Sequence, residues 1–193
     1  MKDWLKDKSW ADMHISEIRN VIRKVAGKIV SIEIASSQED TKNATDYNIL
    51  VEFGSIGCRI RRPGVWPQYH DITIRKSRRS GARTELDKIK DGNPKWYLYG
   101  WDSSDKSLHA WVFFDVDILR SSGLLDGNNV ISNRDGGSNF LAINVRELAG
   151  IKCLIGYNKP VESYIKDIMP INFILSDFLN VHSNRGYSST TYD

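Results

Sequence analysis

The amino-acid sequence predicts an α/β or α+β fold with a central mixed β-sheet flanked by helices. Near the N-terminus, apolar residues recur at positions 15, 18, 21, 22 and 25, which is the spacing of an amphipathic helix. Two segments, WYLYGW at 96–101 and HAWVFFDVDIL at 109–119, are apolar on both faces, as central strands are. Shorter segments before them alternate apolar and polar residues, which is typical of strands with one buried face.

The other elements are predicted from alternation, turn residues and capping patterns. Before the two central strands, we expect a helix at 15–25, strands at 28–34, 46–53, 58–62 and 71–76, and a short helix at 84–90. After them, we expect an exposed loop at 121–138, strands at 140–143 and 151–155, and a helix within 160–180. Asn144 and Glu147 resemble a capping box, and Asp117 is expected to cap the turn after the second central strand.

The length of 193 residues corresponds to about one domain. No stretch of 18 apolar residues is present, so no membrane span is expected. Cys58 and Cys153 lie in apolar segments and are predicted to be reduced residues of a cytoplasmic protein, with a disulfide as the alternative. The expected parts are an N-terminal arm at 1–13, a core at 14–120, an extension at 121–182 that packs on the core, and a flexible tail at 183–193.

Basic residues are concentrated in the segment 59–83. This segment contains eight of them and one acid, Asp71, so it carries +7 while the rest of the chain carries −4, which together give the chain's +3. A basic segment in an otherwise slightly acidic protein suggests a surface that faces a polyanion such as nucleic acid. A solvated charged face, or ion pairs with acids elsewhere, is the alternative. The basic residues are Arg59, Arg61, Arg62, Arg75, Lys76, Arg78, Arg79 and Arg83.

Strand alternation predicts a polar sheet face. A hairpin turn at 54–57 pairs Leu50 with Arg61, Glu52 with Arg59 and Phe53 with Cys58. The apolar side chains of both strands then share one face, and the two arginines lie on the opposite face.

The next strand is expected to extend this polar face. If Ile72 and Ile74 pack into the same core, then Asp71, Thr73 and Arg75 join the arginines. Separated carboxylates on such a face can hold a divalent metal, and neighbouring guanidinium groups can hold a phosphate. Ordinary cross-strand ion pairs, with Asp71 as a counter-charge, are the alternative interpretation.

Several segments, taken in order, resemble a known family. They are a helix with Glu17, then Ala44-Thr45-Asp46-Tyr47 at the start of a strand, then Gly57-Cys58-Arg59-Ile60-Arg61-Arg62 on its partner, then a helix at 83–89 and strands at 95–101 and 111–117. This order resembles the core of the restriction-endonuclease-like, or PD-(D/E)XK, superfamily of phosphodiesterases over roughly residues 14 to 120.

The resemblance implies a metal-dependent nuclease that acts on DNA. Mg²⁺ or Mn²⁺ would lie between Asp46 and Asp71, with Glu17 as a further ligand, and Arg61 and Arg75 would hold the scissile phosphate. The two aspartates and these two arginines are the candidate catalytic residues. A homodimer would be natural for a member that cuts duplex DNA. The candidate nucleic-acid-binding residues are Arg59, Arg62, Lys76, Arg78, Arg79, Arg83 and Trp66.

The chain departs from the family pattern at the catalytic strand. Arg59-Ile60-Arg61 stands where the family has acid-x-lysine, and a guanidinium cannot act as a base because it stays protonated. Three interpretations follow. The acid has moved to Asp71, or 71–75 is the true motif strand, or the domain is inactive and binds only nucleic acid or a protein partner.

Three side chains near the basic segment each have two interpretations. Trp66 stacks on unpaired bases or forms a hydrophobic lid on the sheet. Glu85, in the first turn of the helix at 84–90, is a further site carboxylate or, as we favour, a partner of the helix dipole. His70, beside Asp71, is an acid or base, or is simply exposed.

Overall fold

The computed structural model of the chain describes residues 12–26, 31–34, 47–50, 55–66, 68–105, 107–133 and 136–168. These residues form a mixed α+β fold with a central mixed sheet and flanking helices, which confirms the predicted fold class at this level. Asp46, the first eleven residues of the predicted arm and the predicted tail at 183–193 lie outside the described residues. No helix in the described part is long and apolar enough to cross a membrane.

Helices and strands are numbered here along the chain. The helices are α1 (Ile15–Ala26), α2 (Glu85–Lys90), α3 (Val116–Ser121), α4 (Val145–Gly150) and α5 (Lys159–Ile165). The strands are β1 (Ser31–Ile34), β2 (Tyr47–Leu50), β3 (Ile56–Arg61), β4 (Asp71–Arg78), β5 (Trp96–Asp102), β6 (Leu108–Asp115), β7 (Val130–Ser132), β8 (Ser138–Asn144) and β9 (Leu154–Tyr157).

The larger sheet has the strand order β1-β2-β3-β5-β6-β9, with β3 and β5 parallel and the other neighbours antiparallel. Strands β5 and β6 lie at its centre, as their apolar sequences predict, and every residue of β5 is buried. Trp96 and Leu98 belong to the apolar cluster on the side where α1 packs with Ile18. Tyr97 and Tyr99 alternate with them and belong to the cluster on the other side. The large sheet therefore separates two apolar layers.

Strands β4, β8 and β7 form a separate antiparallel sheet in that order. Ile72 and Ile74 of β4 lie opposite Ile143 and Leu141 of β8, and all four are buried in the cluster that also contains Tyr99. The small sheet therefore covers the side of the large sheet that is opposite to α1. This corrects the prediction that β4 extends the face of β3 within one sheet. Strand β5 pairs with all six residues of β3, so that edge of β3 is taken and β4 pairs with β8.

The predicted hairpin register is also wrong. Strands β2 and β3 pair antiparallel with Tyr47 opposite Ile56, so Leu50 does not lie opposite Arg61. The apolar strand β5 accompanies β3 along its whole length and fixes its position, whereas β2 pairs only with the first residue of β3. Residues 51–54, which contain the other two predicted pairing positions, lie outside the described residues.

The segment 121–138, predicted to be an exposed loop, contains regular structure. A turn of 3₁₀-helix at Leu124–Asp126 buries Leu125 in the core, and β7 adds a short edge strand. All three residues of β7 are exposed, so its sequence carries no alternation that could have predicted a strand. Farther along, β8 belongs to the small sheet and β9 to the large sheet. The chain after residue 121 therefore contributes strands to both sheets.

Side-chain caps define the starts of two short helices. The predicted capping box of Asn144 and Glu147 opens α4. Helix α3 is capped by Asp115 instead of the predicted Asp117. The Asp115 carboxylate accepts hydrogen bonds from the backbone N–H groups of Asp117 at 2.7 Å and Ile118 at 3.1 Å. The residue just before the first helical position is the one whose side chain reaches these two N–H groups, which explains the correction.

Both cysteines are free thiols, which confirms the prediction of reduced residues. Cys153 is buried, and burial raises the pKa of its thiol well above the ordinary value. Cys58 is half-buried and packs against the apolar cluster beside α1. The two residues thus belong to different apolar layers, on opposite sides of the large sheet.

A buried pair of polar side chains joins the start of α1 to the end of β5. His14 Nε2 lies 3.2 Å from Asp102 Oδ1, and the two side chains are 0% and 2% exposed. We expect Asp102→Ala to lower the free energy of unfolding by about 3 kcal/mol, because it removes one partner of a buried pair. Urea unfolding measures this. Asp126→Ala removes an exposed carboxylate that pairs with Lys90, and this control should leave the midpoint nearly unchanged. A shift for Asp102→Ala as small as that of the control would contradict the prediction.

Candidate nucleic-acid interface

A β-bulge in β4 brings two arginines of the basic segment onto one face of the small sheet. Arg75 lies opposite Phe140 and Arg78 opposite Ser138, and the register shifts by one residue at Lys76 between them. Phe140 and Ser138 are two residues apart on β8, so they point to the same face. Because the bulge adds one residue to β4, Arg75 and Arg78 share that face although they are three residues apart.

Two arginines of β3 reach across to the same strand. Arg59 Nη1 donates a hydrogen bond to the backbone carbonyl of Thr73 at 2.9 Å. Arg61 Nη1 donates to Thr73 Oγ1 at 3.0 Å and to the hydroxyl of Tyr99 at 3.2 Å. Arg59 also lies over the ring of Phe140, with 5.6 Å between its guanidinium carbon and the ring centre. We call the surface formed by Arg59, Arg61, Arg75 and Arg78 the arginine face.

The predicted gathering of Arg59, Arg61, Thr73 and Arg75 is therefore present, although by a different route. The sequence predicts them on one face of one sheet, whereas β3 and β4 belong to different sheets and meet through side chains. Alternation assigned the side-chain directions on each strand, and the packing of the small sheet on the large one brings the strands together.

Side chains also form hydrogen bonds with backbone groups on the edge of β4 that faces away from β8. The Tyr99 hydroxyl lies 3.2 Å from the N–H of Thr73 and accepts its hydrogen bond. Glu85 Oε2 accepts from the N–H of Arg75 at 3.0 Å, and Arg59 donates to the carbonyl of Thr73. An open strand edge invites pairing with another strand, and side-chain hydrogen bonds at these positions prevent it. The same contacts hold the arginines in place.

The arginine face carries an excess of positive charge. Glu85 Oε2 lies 3.0 Å from Arg59 Nη2, and the Glu85 side chain is 10% exposed. Glu85 also accepts a hydrogen bond from the hydroxyl of Tyr97. Among the described residues no carboxylate forms an ion pair with Arg61, Arg75 or Arg78. The partners of Arg61 are neutral hydroxyl groups.

Arg75 has the least compensated of the half-buried charges. Its guanidinium lies 5.4 Å from the centre of the Phe140 ring, and its buried Nε has no hydrogen-bond partner in the described residues. Burial lowers the pKa of Arg75 from its ordinary value, and the neighbouring Arg59 and Arg78 lower it further. An arginine with a lowered pKa still carries its charge at neutral pH. An anion bound here would relieve the repulsion between the three guanidinium groups.

The predicted metal ligands do not come together in the described part of the chain. Asp71 lies at the start of β4, where its Oδ1 accepts a hydrogen bond from Asn144 Nδ2 at 3.0 Å. Glu17 lies on α1, which packs on the opposite side of the large sheet from β4, so the structure does not bring Glu17 and Asp71 together. Asp46 lies outside the described residues. No group of three His, Cys, Asp or Glu side chains in the described ranges could hold a metal ion.

Four more of the predicted nucleic-acid-binding residues are exposed. Lys76 and Arg79 are exposed, at the bulge and just after β4. Arg83 is exposed and pairs with Asp91, so its charge is compensated. Arg62 is exposed at the end of β3.

Trp66 belongs to the core, as its lid interpretation predicts. Its side chain is 8% exposed and contacts the ring of Trp101 edge-on, with 4.9 Å between ring centres. A base cannot stack on it without displacing the core. His70 stacks on Tyr164 with 3.9 Å between ring centres. Burial lowers the pKa of His70, although Asp71 opposes this shift.

Sequence reasoning missed Tyr99 and Phe140 as parts of this site, and it favoured a helix-dipole role for Glu85 over a role in the site. Glu85 does lie in the first turn of α2, but its contacts are with Arg59, Tyr97 and β4. The only sequence signal for Tyr99 was a hydroxyl in an otherwise apolar central strand. A buried hydroxyl needs a hydrogen-bond partner, which could have pointed to a polar contact.

The arrangement can bind an anion, but its arginines cannot take up a proton. Guanidinium groups donate hydrogen bonds in a fork that matches phosphate oxygens, and they have no lone pair to act as a base. No protein-family model matches this chain, and a search of curated proteins found no significant match.

Proposed function

We propose that the protein binds nucleic acid through the arginine face, as a divergent restriction-endonuclease-like domain that acts as a binding module. The observation that carries this proposal is the charge on the face, where Arg61, Arg75 and Arg78 have no carboxylate in an ion pair among the described residues. Uncompensated arginines next to exposed Lys76 and Arg79 form the electrostatic footprint of a protein that binds a phosphate backbone.

The order of elements supports the fold assignment within this proposal. A helix, an antiparallel series β1-β2-β3, a connecting helix α2 and the strand β5 follow one another as the resemblance implies. Strand β5 lies parallel to β3, and this requires a crossover connection such as α2 provides. Strand β4 is inserted in this crossover and carries half of the arginine face.

The chemistry of the site favours binding over cleavage. Arg59 and Arg61 occupy the positions of acid-x-lysine, and Arg59 is held by Glu85 and Thr73. A metal-dependent nuclease needs carboxylates that converge on a metal, and Glu17 and Asp71 lie on opposite sides of the large sheet. The described carboxylates therefore do not fit the Mg²⁺ or Mn²⁺ that the resemblance implies.

The test measures binding and cleavage of DNA by the full chain. Labelled single-stranded and duplex 20-mers are titrated by fluorescence anisotropy between 50 and 300 mM salt. Five cations on or next to the arginine face have no carboxylate partner in the described residues. They are Arg61, Arg75, Lys76, Arg78 and Arg79. The logarithm of the association constant for duplex DNA should therefore fall with the logarithm of salt concentration with a slope of about −4.5. A slope near zero, or no binding at 50 mM salt, would overturn the proposal.

Incubation with Mg²⁺ or Mn²⁺ tests the catalytic alternative in the same samples. A binding module leaves both DNA forms intact. Metal-dependent cleavage that is lost in Asp46→Ala and in Asp71→Ala would mean that the protein is a nuclease, with Asp71 as the acid of its motif, and not a binding module. In that case sedimentation of the DNA complex would test the homodimer that duplex cleavage favours.

A further inference from the structure

A small pocket lies at the end of the β4–β8 ladder, next to the arginine face. It has a volume of about 180 Å³ and is lined by residues 77–79 and 136–139. Its two walls are tied together, because the N–H of Arg79 donates to the carbonyl of Gly137 at 2.9 Å. The N–H of Asn139 also donates to Ser77 Oγ at 3.2 Å.

The lining suits a small anion. Two of the lining residues are Arg78 and Arg79, and the others are two serines, one asparagine and two glycines. Among the described residues the lining contains no carboxylate, and neither arginine has a carboxylate partner there. Pockets for larger organic ligands have volumes of about 300–1,000 Å³, so this one admits a single compact group.

We propose that this pocket binds the terminal phosphate of a DNA strand whose backbone follows the arginine face. The inference rests on the proposed function. A terminal phosphate has three free oxygens and close to two negative charges, which match two arginine forks. An internal phosphodiester has one charge and two non-bridging oxygens, so it offers fewer acceptors to the two arginines.

The position of the pocket agrees with this arrangement. Arg78 lines the pocket and also belongs to the arginine face, so the two surfaces are continuous. Three residues of extended strand separate Arg75 from Arg78, which is roughly 10 Å. This separation allows Arg75 to contact a phosphate farther along the same strand.

The experiment compares three otherwise identical 12-mers with an internal fluorophore. One has a 5′-phosphate, one has a 3′-phosphate, and one has hydroxyl groups at both ends. We expect one of the phosphorylated strands to bind the wild-type chain about tenfold more tightly than the hydroxyl strand, which is about 1.4 kcal/mol. Whichever phosphorylated strand binds more tightly shows whether the pocket holds the 5′ or the 3′ end of the DNA strand. In Arg79→Ala the ratio of the two dissociation constants should fall close to one.

Two further variants separate the pocket from the rest of the interface. Arg61→Ala should weaken all three strands by the same factor and keep the ratio. Arg79→Lys keeps the charge but loses the forked pair of donors. The gain in affinity that the terminal phosphate gives should therefore be less than half of the wild-type gain, in logarithmic units. Equal binding of all strands by the wild-type chain, or a ratio that persists in Arg79→Ala, would overturn the inference while the proposed function stands. Failure of every strand to bind would overturn both.

Discussion

The double variant Arg61→Ala, Arg75→Ala is expected to bind DNA about 100-fold more weakly than the wild-type chain at 0.1 M salt. Each arginine should make one charge-assisted contact with a phosphate, and each such contact is worth about tenfold in affinity. Neither side chain has a carboxylate partner in the described residues, so no ion pair inside the protein competes with the phosphate. The slope of binding against salt should become less negative by about 1.8, because two fewer counterions are released from duplex DNA.

A variant of equal net charge provides the control. Lys159→Ala, Lys166→Ala removes two exposed positive charges at α5, which carries no residue of the arginine face. It should lower affinity only through the general field of the protein and leave the salt slope close to the wild-type value. Equal losses in the two double variants would mean that net charge, and not the arginine face, determines binding. Circular dichroism and a urea midpoint for each variant show whether the fold is retained.

The sequence predicted the elements of this interface better than their arrangement. The central strands β5 and β6 were predictable because segments that are apolar on both faces must be covered on both sides. The opposite directions of Cys58 and Arg59 on β3 followed from alternation alone. Alternation could not predict which sheet β4 joins, because Ile72 and Ile74 would be buried equally well in either sheet and the partner strand β8 lies far along the chain.

Two features of the site depend on tertiary contacts that no local pattern encodes. The bulge at Lys76 places Arg78 on the face of Arg75, whereas strict alternation places it on the opposite face. The amphipathic pattern of α1 shows which side of the helix is buried, but not which side of the sheet it covers. The predicted ligand Glu17 therefore ended on the far side of the large sheet from Asp71.

Loss of the Glu85 carboxylate is expected to have the largest effect on stability. Glu85→Ala should lower the free energy of unfolding by about 3–5 kcal/mol, because it leaves Arg59, Tyr97 and the N–H of Arg75 without their common partner. Small domains have about 5–15 kcal/mol of stability in total, so this variant would be partly unfolded in mild denaturant. Urea unfolding followed by circular dichroism measures the change.

Glu85→Gln separates the structural role of this residue from its charge. The amide oxygen can still accept from the N–H of Arg75, and the amide nitrogen can donate to the hydroxyl of Tyr97, so a smaller loss of about 1–3 kcal/mol is expected. The variant also removes the counter-charge of Arg59. Arg59 is then released from this carboxylate and can contact phosphate, so the salt slope for duplex DNA should become steeper by about 0.9.

Asp87→Asn is the matched control for this effect, since it makes the same change of charge in the same helix. Asp87 is exposed and caps α2 through Thr84, and no arginine of the face pairs with it. A general gain in net charge would strengthen DNA binding equally in both variants, whereas a freed Arg59 would act only in Glu85→Gln. If the two variants show the same salt slope, then Arg59 does not contact phosphate. In that case the Glu85–Arg59 pair only fastens β3 to β4, and the arginine face has three members instead of four.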